Sequence, residues 1–414
     1  WTGVAPLLRG SVYASVVTLA FFLNRSVSFS VGIAPLAYTA LSAFMIERGL
    51  TLQSEYIGAA GANMLRFGSY LAMAIIILYL GRRYYAGVLR GAVGLSHGAE
   101  VTRASVWSAR GLVLASCLFV LCVHLAGLSL PYASALWFLI LLTFLVLSRI
   151  VAETGMFFIQ PTWVPVGVLT ALLGFEAIGP TTYIFLALGS TMLVGDTRTA
   201  LMGNLVNGLR LADNQQRVSV PRLAPWLTVM IVVGFFVAGA ATLLTQYNHG
   251  LLNTNGFTRI QLPSMPFDGL SKFLAESESR GALTEATLSD GQLNLLSIDP
   301  REGTLFWLAL GVGLVVVCSW GRLKWHWWPI HPVLFLLWGT FPISKFAFSF
   351  LLGWLVKSAV MKFGGAKGYR IVLPLMIGIV AGEILFSFAA IAFDVSYYFQ
   401  TGLAPPRYSV FSPP

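Results

Sequence analysis

Charge is what this sequence has least of. Asp, Glu, Lys and Arg make up 10% of 414 residues while 57% are hydrophobic, and a mean hydropathy of +0.78 lies well above that of a water-soluble chain. A soluble multidomain protein is excluded by that balance. Catalytic signatures are missing as well: there is no HExxH, GxSxG or GxxxxGK[ST] run, so nothing points to a hydrolase or an ATPase, no enzyme activity is read, and no cofactor is implied. Cysteine is nearly absent. Cys117, Cys122 and Cys318 lie inside apolar runs without a CxxC spacing, which reads as small buried side chains and not as a disulfide frame or a metal site. The first residue is Trp1, with no initiator Met and no charged leader, so the chain is expected to be part of a longer protein.

What is present in quantity is apolar sequence in runs of membrane-spanning length. The expected fold is all-α, a polytopic helical membrane protein of about ten to twelve membrane segments. The net charge of +10 could advertise nucleic acid, but the Lys and Arg residues sit in short loops between apolar spans, where orientation in the bilayer accounts for them. Arg82, Arg83, Arg90 and Arg103 mark one cytoplasmic loop, Arg198, Arg210, Arg217 and Arg222 a second, and Lys357, Lys362, Lys367 and Arg370 a third. Between Thr245 and Glu302 seven acids outnumber four basic residues, in agreement with an outward-facing loop. This frame divides the chain into membrane helices over 1–246, an extracytoplasmic loop over 247–302 and further membrane helices over 303–414.

Two stretches break the pattern of simple spans. Residues 329–358 are bracketed by basic residues at both ends and interrupted at Gly339, Thr340, Phe341 and Pro342. They read as a re-entrant or broken hairpin whose two arms each cross about half of a ~30 Å hydrocarbon core. Residues 155–195 carry Gln160-Pro161, Val164-Pro165 and Gly179-Pro180 between two cytoplasmic loops. That segment is either a second broken hairpin with its apex near Glu176 to Thr182 or a pair of ordinary short spans.

Ionisable side chains at membrane depth each cost at least ~2.5 kcal/mol on insertion scales and are functional candidates by default. Arg149 and Glu153 are four residues apart on one helical face, where they form either a structural ion pair or a coupling element. Glu176 sits at the expected hairpin apex, as a proton-exchanging acid or as a wetted surface carboxylate. Thr340 and Lys345 flank the Pro342 break. Glu383 lies mid-helix beside Gly378 and Gly382, whose GxxxG spacing permits close helix contact, and it is expected to pair with Lys345 or to titrate near neutrality. His124 reads as a satisfied core residue. His326 and His331 fall in WHWWPIHP, which reads as Trp-rich interfacial anchoring.

The run SRIVAETGM, from Ser148 to Met156, and the run FPISKFAFSFLLGWLVKSAVMKFGGAKGYRIVLPLMIGIVAGEILF, from Phe341 to Phe386, resemble the oligopeptide transporter superfamily. The nearer resemblance is to an uncharacterised prokaryotic branch that also carries the RxxAE-G run and the WPxHP start of the hairpin. The resemblance covers most of the chain from Tyr56 onward. It implies a bundle of two related halves with broken hairpins in a prokaryotic inner membrane, a proton-coupled carrier of a small peptide, a metal chelate or a related solute, and a chain that lacks the superfamily's first helices. The eukaryotic peptide-transporter signatures are not evident, so substrate identity does not carry over. Two rival readings are a non-transporting subunit of a larger membrane complex and a membrane-embedded enzyme, the latter needing clustered acids and histidines that the sequence spreads over both halves. The partners expected are the bilayer, a small solute and protons, with a homo-oligomer or a larger membrane complex left open and no nucleic acid.

Overall fold

A computed structural model describes residues 12–50, 52, 57–96, 98, 101–156, 159–195, 201–214, 220–251, 257–279 and 298–403. Among them every regular element is helical: α1 (Ala14–Phe22), α2 (Arg25–Ile46), α3 (Gly61–Leu80), α4 (Arg82–Ala92), α5 (Arg103–Leu125), α6 (Leu130–Thr154), α7 (Pro165–Leu173), α8 (Phe175–Ile178), α9 (Pro180–Val194), α10 (Leu201–Asn214), α11 (Val220–His249), a π-turn (Phe257–Gln261), α12 (Leu262–Ser279), α13 (Thr304–Lys324), α14 (Val333–Leu337) and α15 (Phe341–Thr401). Seven of these, α2, α3, α5, α6, α11, α13 and α15, contain stretches long and apolar enough to cross a membrane. The protein is therefore an all-α polytopic membrane protein. The second arm of α15 and the short apolar helices α1, α7 and α9 bring the segments into the expected range of ten to twelve.

The chain divides into two compact units. The first is formed by residues 1–51, 153–157 and 317–414. Its centre is α1, and α15 is folded around it. α15 is not straight: Gly365, at φ 55° and ψ −150°, breaks it into arms 341–364 and 366–401. Along the first arm, Tyr13 meets Ser349 and Phe346, a Cβ on Gly353 would lie 2.4 Å from the Val17 carbonyl oxygen, and Lys357 Nζ donates to the Leu23 carbonyl. Along the second arm the order reverses, with Tyr369 stacked on Phe21 at 5.1 Å, Met376 beside Thr18 and Glu383 at Ser15. α1 thus runs parallel to one arm and antiparallel to the other, in the groove of a helical hairpin. α2 closes the unit against the first arm at Gly32, where an added Cβ would meet Leu351 backbone at 3.0 Å. Small residues let helix backbones approach where lipid supplies no hydrophobic drive.

The second unit comprises residues 52–152 and 158–316. Within it α3 and α13 approach closely. Gly68 meets the Leu308 carbonyl and Gly311 the Leu65 carbonyl, each closer than a Cβ would allow. α7 packs on α3 and α9, and Ser190 Oγ of α9 accepts from the Val166 N–H, one of the first-turn donors of α7 that the helix itself leaves open. α12 lies along α9, and α11 keeps its apolar surface exposed all round, as a helix facing hydrocarbon does.

Two expectations need correction. The first arm of the 329–358 hairpin is only the five-residue α14, and the second does not stop near Lys357: it continues to Gly364-Gly365 and runs on to about 36 Å, well beyond half of a ~30 Å core. The Gly378/Gly382 pair makes no close contact, since a Cβ at either would meet nothing within 4 Å. The close approaches are at Gly353 and Gly32 instead. Arg198, Arg217, Glu285 and Asp290, which carry part of the charge argument, lie outside the described residues.

Candidate functional site

In the second unit, α7, α8 and α9 form a broken hairpin with arms of 9 and 15 residues. At ~1.5 Å per residue neither arm reaches across a ~30 Å core. The breaks are Gly174 (φ 85°) and Gly179 (φ 73°), a left-handed backbone that disfavours a Cβ. Segment 298–302 crosses this apex. The N–H groups of Asp299 and Arg301 donate to the carbonyls of Leu173 and Ala171, at 3.2 and 3.1 Å, and so satisfy the open C-terminus of α7. From α6, Tyr132 Oη donates to the Ala177 carbonyl at 2.8 Å and holds the turn from the other side.

The apex walls a cleft of about 450 Å³. Phe175 and Phe273 stack on it with ring centroids 5.3 Å apart, and Tyr183 packs edge-on to both. Among the described residues four carboxylates line it, Glu176, Glu276, Asp299 and Glu302, against the single cation Arg301, whose Nη2 is 3.7 Å from Glu276 Oε1. Glu176 was expected at the apex and is there, exposed at the cleft. The reading of 155–195 as a broken hairpin describes this geometry better than a pair of ordinary spans.

A second polar cluster lies in the first unit. His331 is 6% exposed, and its Nε2 is 3.7 Å from Glu153 Oε2, within ion-pair reach and beyond a direct hydrogen bond. His331 Nδ1 accepts from the Val333 N–H at 3.2 Å, so the neutral ring carries its proton on Nε2, toward Glu153. Ser30 Oγ accepts from the His331 N–H at 2.7 Å. His331 is therefore a buried partner of a carboxylate and not an interfacial anchor. The Trp cluster around it has the composition of an anchor, and His326 and its Trp neighbours are exposed as that reading required. Arg149, one turn before Glu153, is exposed.

Thr340, Lys345 and Glu383 are dispersed within the first unit. Thr340 is buried and donates to the Leu337 carbonyl at 2.6 Å, closing the end of α14. Lys345 is half-buried with Nζ 5.6 Å from the Phe341 ring centroid, and it makes no ion pair with Glu383. Glu383 instead receives the Ser15 N–H at 2.6 Å and the Ser15 hydroxyl at 3.3 Å, which places its carboxylate on the N-terminus of α1. Negative charge is favoured there by the helix dipole. Cys117, Cys122 and His124 are exposed on α5 and not buried as expected, and His124 Nδ1 is hydrogen-bonded to the Leu128 carbonyl.

Arg66 was missed. It is 1% exposed in α3, where it donates to Thr162 Oγ1, one turn beyond Asn63, which donates to the Gly58 carbonyl at 2.9 Å. The rule that intramembrane charge marks function applies to Arg66 as it does to Lys345, because the apolar run of α3 surrounds it.

The model of a family of unknown function, DUF6785, matches residues 1–403, and the chain belongs to that family. No curated protein and no solved structure matches it.

Proposed function

We propose that this is a secondary-transporter-like protein of a prokaryotic inner membrane, proton-coupled, carrying a small peptide, a metal chelate or a related solute. The observation that carries the reading is the α7–α9 hairpin: two apolar arms too short to span, joined through two left-handed glycines, with a polar cleft at the join. Irregular backbone at membrane depth is tolerated only in protein or beside water, and such broken helices are where transporters bind solutes. The resemblance to the oligopeptide transporter superfamily supports the same class. Protons have a seat in the Glu153–His331 pair, a carboxylate facing an imidazole proton in a largely buried setting. Glu383 is withdrawn from that role, because its carboxylate is engaged as a helix cap.

The test is uptake by proteoliposomes from a panel of labelled peptides and metal chelates, with and without an inward-directed proton gradient. Gradient-driven accumulation is expected, and Glu153→Gln and His331→Gln should uncouple it while solute exchange continues. Accumulation that ignores the gradient would remove proton coupling. No uptake of any panel member would favour the non-transporting subunit instead.

A further inference from the structure

We propose that the cleft at the α7–α9 apex binds a small organic cation, an ammonium group on a short hydrocarbon skeleton. Charge sets the sign of the ligand. Arg301 is matched by Glu276 at 3.7 Å, which leaves Glu176, Asp299 and Glu302 as three further carboxylates around about 450 Å³. Size and surface set the class. A space of this volume suits a small molecule better than a bare ion, and among the described residues no group of three His, Cys, Asp or Glu side chains is placed to hold a metal. The stacked Phe175 and Phe273 offer a hard metal ion no oxygen ligand, but they give an alkyl ammonium both apolar contact and a cation–π surface. A further polar group waits there. Ser277 is 7% exposed and lines the cleft, and its hydroxyl is of a type that can accept from an N–H donor.

The inference deepens the transport reading by naming the ligand class of its hairpin, and it can be tested without transport. Full chain in lipid nanodiscs is titrated with 1,5-diaminopentane, tetramethylammonium, glutarate and calcium chloride, with binding followed calorimetrically. Both organic cations should bind saturably and glutarate should not. Glu176→Gln and Glu302→Gln, at exposed positions that leave the fold undisturbed, should each weaken diamine binding about three- to fivefold, and about tenfold or more together. Phe273→Leu should weaken tetramethylammonium binding by a larger factor than diamine binding. Unchanged affinity in the double variant, equal binding of glutarate, or binding of calcium alone would each overturn the assignment. If the cations bind as described but no solute accumulates in proteoliposomes, the transport reading fails and this one stands. Accumulation of a solute without cation binding at the cleft leaves transport standing and removes the cation site.

Discussion

Removing Glu383 should loosen the first unit at its centre, and the size of the effect follows from what its carboxylate holds. The Ser15 N–H belongs to the first turn of α1 and has no partner within its own helix, so Glu383 supplies one at 2.6 Å while Ser349 Oγ takes the Tyr13 N–H at 2.9 Å. A hydrogen bond to a charged group contributes ~1.5–3 kcal/mol and a charge at a helix terminus ~0.3–1 kcal/mol. Glu383→Gln keeps an acceptor and loses the charge, for a cost of about 1 kcal/mol. Glu383→Leu strands the N–H in an apolar setting and should cost about 2–3 kcal/mol. Lys357 does the complementary work at the other end of α1, on the Leu23 carbonyl, so Lys357→Met should cost about 1–3 kcal/mol. Because the two sites sit at opposite ends of a nine-residue helix, about 13 Å apart, their costs should add to within about 0.5 kcal/mol. The assay is SDS titration of the purified chain, read by near-UV circular dichroism. Lys345→Ala is the internal control, since it breaks no ion pair with Glu383. A Glu383→Leu variant that unfolds at the wild-type SDS fraction would refute the capping argument.

Three further outcomes are expected. Gly353→Val should separate α1 from α15 and cost upward of about 2 kcal/mol in the same titration, because even a Cβ would sit 2.4 Å from the Val17 carbonyl oxygen, whereas Gly378→Ala and Gly382→Ala should stay within about 0.5 kcal/mol. Gly174→Ala forces a Cβ to 2.7 Å from the Asp299 carbonyl oxygen at a φ of +85°, and should cost about 1–3 kcal/mol while raising protease sensitivity of the 298–302 segment. Single cysteines at Arg110 and Lys362 should react with a membrane-impermeant maleimide only from the cytoplasmic side, and one at Ser271 only from outside; labelling of Arg110 and Lys362 from opposite sides would end the charge-based orientation.

The breaks in the fold were legible because they are written in local chemistry. Gly174, Gly179-Pro180 and Gly339 through Pro342 punctuate apolar runs, and the helices stop there. Glu176 was found for the same reason, since a residue between two such breaks stands at an apex wherever the hairpin lies. Partnerships were less legible. Glu383 meets Ser15 across 368 positions, and nothing local to either residue distinguishes that pairing from one with Lys345. His331 was hidden by its neighbours: four nearby Trp residues have the composition of an interface, yet one residue past Ile330 the chain turns inward to Ser30 and Glu153. Spacing misled at Gly378 and Gly382, because a GxxxG run states that close approach is allowed and not that a helix is there to approach. The arm from Phe341 is longer than its charges suggest, because Lys357 does not end a membrane segment: its long stem carries the charge to a carbonyl beside another helix.

The groove that holds α1 also imposes an order on biogenesis. α1 is the first helix among the described residues, and both of its ends are completed by α15, the last. While the ribosome is still making the middle of the chain, the Ser15 N–H and the Leu23 carbonyl have no intramolecular partner, so this nine-residue piece must wait in the translocon, at the interface or with a holding factor. A chain released before residue 383 would carry every described helix of the second unit and still leave α1 unanchored. Quality control that senses unsatisfied intramembrane polar groups would then have a clear mark by which to recognise an unfinished molecule.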